Sequence, residues 1–102
     1  MNDEIDEHAD TDDEVLQREL EVQNQYGICG RPAALIVGTS VKFDAVVELE
    51  LNDEIVSGRD IMGLITLEAS RGSQIMVTAK GKEAEALLNA LEELFARKFD
   101  EE

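Results

Sequence analysis

The sequence predicts a two-layer α/β sandwich, one antiparallel sheet with helices on a single face. Three observations predict it. Strand-like segments carry apolar residues on one parity and polar residues on the other, the pattern of a sheet with one face buried and one in water. Segments with an apolar stripe at helical spacing separate them, so the order reads β-α-β-β-α-β-α. The length, 102 residues, suits one domain with one modest core.

The first strand is predicted over Val15 to Gln23, with Leu16, Leu20 and Val22 on the inner parity and Arg18 interrupting them. "NQYG" reads as loop. "PAALIVGTSV" combines an apolar run with Pro32, which a helix tolerates in its first turn, so a helix is expected with Ala33, Ile36, Val37 and Val41 on its inner face. In "FDAVVELELND" the residues Phe43, Ala45, Val47, Leu49 and Leu51 point one way and Asp44, Glu48 and Glu50 the other. Asn52-Asp53 suits a hairpin turn, and Glu54 to Ser57 is the return strand. Asp60 is a good N-cap for a short helix over Ile61 to Leu67, which Gly63 weakens. "SRG" turns, and "SQIMVTAKG" is a strand with Ile75, Val77 and Ala79 inward. The last helix is the clearest element. Ala84, Leu87, Leu88, Leu91, Leu94 and Phe95 form its stripe, with Glu83 and Glu85 near the start and Arg97 and Lys98 near the end to complement the dipole.

Charge narrows the function. With 24 acidic residues against nine Lys and Arg, the net charge of -15 excludes nucleic acid as a direct partner, because that affinity rests on cations neutralising phosphates. It also disfavours anionic membrane surfaces. No apolar run approaches the length that spans a bilayer. The charge is uneven. Residues 1–14 hold eight acids and no Lys or Arg, and read as a flexible, solvated acidic tail ahead of a domain at 15–102. That stretch lacks the basic and apolar regions of a secretory signal. His8 lies in it without a second His or Cys nearby, so no metal site is assigned. One cysteine makes no internal disulfide, and the cytoplasm is the expected compartment.

That cysteine is the chemically pointed residue. In "YGICGRPAAL", Cys29 stands at the start of the predicted helix between Gly27 and Gly30, beside Arg31. A helix start offers unpaired N–H groups and the positive end of the dipole, which favour an anion. Arginine adds charge, and the glycines allow close approach by another molecule. These residue types suit a loop that accepts phosphate on a nucleophile. The bland alternative is a small residue in a glycine-rich turn. Other chemistries lack their parts. There is no CxxC, no zinc-type cluster and no P-loop, and a cysteine hydrolase would have only His8 for a partner. The strands also argue against an all-helical acyl carrier.

Taken together, these segments resemble the HPr family, the histidine-containing phosphocarriers of the phosphoenolpyruvate-dependent sugar phosphotransferase system, over about residues 15–99. Gly27, Ile28, Arg31, Pro32 and Ala33 match the G-[IL]-H-x-R-P-A motif. Ile61, Met62 and Gly63 match the regulatory-site motif, and Gly72 and Gly81 the turns around the last strand. The resemblance implies a four-stranded sheet in order 1-4-2-3 with three helices on one face. It implies a carrier or regulator rather than an enzyme, acting as a monomer without a cofactor. Its partners would be phosphotransferase proteins, the first enzyme and the sugar-specific acceptor domains, or a regulator protein.

Two departures stand out. Cys29 replaces the histidine that receives phosphate, and Asp60 replaces the serine that a regulatory kinase phosphorylates. The resemblance makes Cys29 the candidate acceptor and Arg31 the residue that stabilises the phosphate. The alternative is a regulatory binding module that has lost phosphotransfer. Asp60 is read either as a plain helix cap or as a partial imitation of phosphoserine. Ala34, Ile61, Met62 and Ile65 stand where family members dock partners, although core packing is the ordinary role of such an apolar stripe.

Overall fold

The computed structural model describes residues 15–101. The expected tail at 1–14, with His8, lies outside them. Strand β1 is Val15–Glu21, helix α1 Gly30–Ser40, β2 Val46–Leu51, β3 Glu54–Ser57, α2 Ile61–Thr66, β4 Gln74–Lys80 and α3 Ala84–Ala96. The sheet order is β1-β4-β2-β3 and each neighbouring pair is antiparallel, with the three helices against the sheet. The predicted architecture and element order are the observed ones.

Register explains the core. Leu20 pairs with Ile75, and both Leu16 and Val47 lie opposite Ala79, so the apolar rows of three strands coincide on the helix side. Leu49 lies opposite Val77 and Val56, which extends the row to β3. The stripe of α3 closes over it, every one of its six predicted residues being buried. Arg18 sits on the inner parity of β1 for a reason. Its Nη1 donates to Asn89 Oδ1 and Glu92 Oε1 of α3, both at 2.8 Å, so the residue ties sheet to helix where the apolar row is interrupted. At the β2–β3 turn Asn52 and Asp53 take φ of 52° and 69°, the left-handed pair a tight hairpin requires.

Some expected boundaries shift. Val41 is not on the buried face of α1. The helix ends at Ser40, and Val41 is its exposed C-cap. Strand β2 begins at Val46 rather than Phe43, although Phe43 and Ala45 still face the core. Glu83, expected near the start of α3, is its N-cap, and its Oε1 accepts from Asp44 N–H at 2.7 Å. A turn at Lys98–Asp100 follows α3 where the helix was expected to run on. Among the described residues no helix is long and apolar enough to cross a membrane.

Candidate functional site

Cys29 is the N-cap residue of α1, with extended backbone at φ -145° and ψ 170°. Its thiol is exposed and makes no cap bond to the helix. Among the described residues its one polar contact is a long 3.8 Å approach to the carbonyl of Tyr26. The first N–H groups of α1 therefore have no side-chain partner from Cys29, and no acidic residue stands in that turn to neutralise them.

Two glycines shape the approach. Gly27 has φ 75°, and a Cβ there would overlap the Ala69 carbonyl, which already accepts from Ile28 N–H at 3.0 Å. The chain is thus pinned to the segment before β4 just ahead of Cys29. Gly30 opens the helix at φ 40° with nothing within 4 Å of a would-be Cβ, so its backbone angle, not crowding, calls for glycine. Buried Pro32 and Ala33 then anchor the first turn in the core.

Arg31 is the second residue of α1, where a cation opposes the helix dipole. A side chain placed against its own helix's electrostatics is suited to an anion held there. In the structure its Nη1 donates to the Phe99 carbonyl at 3.3 Å. Gln25, Tyr26, Arg31, Asp100 and Glu101 enclose a depression of about 410 Å³ beside it.

On α2, Asp60 is the N-cap, and its Oδ1 accepts from Gly63 N–H at 3.0 Å. The cap role read from the sequence is present. Gly63 also turns out to have a purpose, because a Cβ there would stand 2.7 Å from the other Asp60 carboxylate oxygen. Ile61 and Met62 are 40% and 66% exposed, too open for core residues, whereas Ile65 packs partly against the core. Ala34 is exposed on α1, which packs beside α2, so the predicted residues lie on two adjoining helices. Asn24 was not singled out from the polar loop, yet it is fully buried. Its Nδ2 donates to the Gly27 carbonyl at 2.8 Å and to Glu101 Oε1 at 2.9 Å. Among the described residues no group of three His, Cys, Asp or Glu is placed to hold a metal.

The family model described as the PTS HPr component phosphorylation site matches residues 16–97. The chain belongs to the HPr family. The phosphocarrier protein HPr of Treponema pallidum is 36% identical over 88 residues, which cover 86% of this chain and all of that one. The crystal structure of HPr from Thermoanaerobacter tengcongensis (HPr-C-His) superposes with a TM-score of 0.81 at 34% identity, covering 85% of this chain and 98% of that one. Crh, described as the catabolite repression containing protein of Bacillus subtilis, superposes at 0.60 with 32% identity, covering 84% and 94%. HPr proteins carry phosphate rather than catalyse a reaction, and in this HPr-family chain the open end of α1 is where Cys29 and Arg31 stand.

Proposed function

We propose that this chain is a phosphocarrier of the phosphoenolpyruvate-dependent sugar phosphotransferase system in which Cys29 accepts the phosphoryl group. The observation that carries the reading is the exposed thiol at the N-cap of α1, with Arg31 one residue into the helix and no carboxylate in the first turn. The Cys29 thiolate attacks the phosphorus of a phosphohistidine on the first enzyme. The S–P bond forms as the P–N bond breaks, and the imidazole nitrogen keeps the electron pair and takes a proton. The phosphate oxygens then lie at the helix N-terminus, where free N–H groups and the Arg31 guanidinium offset their charge. Cysteine needs no change of tautomer to do this. Its side chain is shorter than histidine's, so donor and acceptor must approach more closely, and Gly30 leaves that approach open.

Ala34, Ile61, Met62 and Ile65 supply the docking surface for the first enzyme and for the sugar-specific acceptor domains in the cytoplasm. Exposed Ile61 and Met62 are apolar contacts of the size a transient interface needs, with Asp60 as charged rim.

The likeness to Crh favours a second reading, a regulatory module that binds partners through the same face without carrying phosphate. In that reading the fixed charge of Asp60 stands in part for a phosphoserine. Incubation with phosphoenolpyruvate and the cognate first enzyme, followed by peptide mass spectrometry, separates the two. Phosphate mapped to Cys29 and absent from Cys29→Ala supports the carrier. A stable complex with a partner protein and no phosphate on any residue supports the regulator.

A further inference from the structure

Helix α3 gives way at Arg97 to a turn of unusual backbone. Lys98, Phe99 and Asp100 take φ of 57°, 55° and 59°, three consecutive non-glycine residues in the left-handed region. Each is unfavourable on its own, and such a run persists only where its surroundings hold it. The holding contacts are specific. Phe99 is fully buried, its ring centroid 4.9 Å from that of Phe95. Arg97 Nε donates to Asp100 Oδ1 at 3.0 Å. Both Nδ2 hydrogens of buried Asn24 are spent on the loop before Cys29 and on the chain after the turn, through the Gly27 carbonyl and Glu101 Oε1. The turn lies beyond the stretch that the family model matches, which ends at residue 97.

The consequence falls on Arg31. Its guanidinium is engaged by the Phe99 carbonyl, and the depression beside it is walled by Asp100 and Glu101. We propose that residues 98–101 are an autoinhibitory strap, pinned by Asn24, that competes with phosphate for Arg31 and repels it through the carboxylates of Asp100 and Glu101. The proposal rests on the phosphocarrier reading and names a control on that site. A neutral carbonyl at 3.3 Å is a weak partner for guanidinium, and a phosphate dianion is a stronger one. The strap therefore yields to phosphate, at reduced affinity.

Asp100→Asn with Glu101→Gln tests this. Each amide keeps an oxygen to accept from Arg97 or Asn24, so the strap stays in place and only its charge is lost. The probe is inorganic phosphate, titrated at low ionic strength and followed by NMR at Arg31 Nε–H and at the Asp100 amide, which shares the Phe99 peptide group. The double variant is expected to bind phosphate about two- to fivefold more tightly per charge removed. The Arg31 and Asp100 signals should move together, and the difference should shrink at high salt. Equal affinities at low salt overturn the proposal, as does phosphate binding that leaves the Asp100 amide unmoved. A double variant that binds no phosphate overturns it too. No phosphoryl donor is involved. Failure of transfer to Cys29 would therefore count against the carrier reading alone, while equal phosphate affinities beside working transfer would count against the strap alone.

Discussion

Asp60 Oδ1 accepts a hydrogen bond from Gly63 N–H at 3.0 Å, and the other carboxylate oxygen fills the space a Gly63 side chain would need. The cap and the glycine form a unit. A six-residue helix has little stability of its own, so this pair decides whether α2 holds Ile61 and Met62 in place.

Asp60→Ala should therefore cost about 0.5–2 kcal/mol in urea unfolding, the range for losing an N-cap. Asp60→Ser should stay close to the parent, because serine caps equally well. A loss with serine as large as that with alanine would show that the charge of Asp60, not its cap bond, stabilises the helix.

Gly30→Ala tests the backbone at the mouth of α1. No atom crowds the new methyl group, so the cost comes from φ 40° alone and should be about 1–2 kcal/mol. Gly27→Ala, which sets a methyl group on the Ala69 carbonyl, should cost more. Thermal melts of the two variants should rank in that order.

Much of this was legible in the sequence. Period-two alternation placed β2 and β4, and the Leu-rich stripe placed α3, because half-buried strands and one-sided helices must repeat in those ways. The motif around Cys29 and the cap at Asp60 were legible because their chemistry is local. Long-range partners were not. Asn24 looked like one polar loop residue among several, and only the folded chain brings Gly27 and Glu101 to its amide. The helix was expected to run through Lys98 because Arg97 and Lys98 suit a helix C-terminus and no glycine or proline marks the break. Gly63 was judged by propensity alone, and only the folded chain shows the Asp60 carboxylate crowding the place of a Cβ there.

Cys29 should alkylate with iodoacetamide much faster than a core thiol, since its side chain is exposed. A control with Cys29→Ala and a cysteine at buried Ala33 gives the slow reference. Equal rates would mean that the loop shields the thiol in solution.

Cys29→His should accept phosphate from the ordinary first enzyme of the system at least as well as the parent chain, because Arg31, Pro32 and the open helix start are unchanged. Labelled phosphoenolpyruvate measures this. A histidine variant that folds normally and takes no label would place the defect in the docking surface, at Asp60, Ile61 and Met62.

In a Cys29 carrier, sulfur is the atom that holds the phosphate. Phosphorus-31 NMR of the chain after treatment with phosphoenolpyruvate and the first enzyme reads the bonded atom directly. One new resonance of S–P type is expected, discharged by iodine and absent from Cys29→Ser. No protein-bound resonance, or one of N–P or O–P type that survives Cys29→Ser, would contradict the carrier reading.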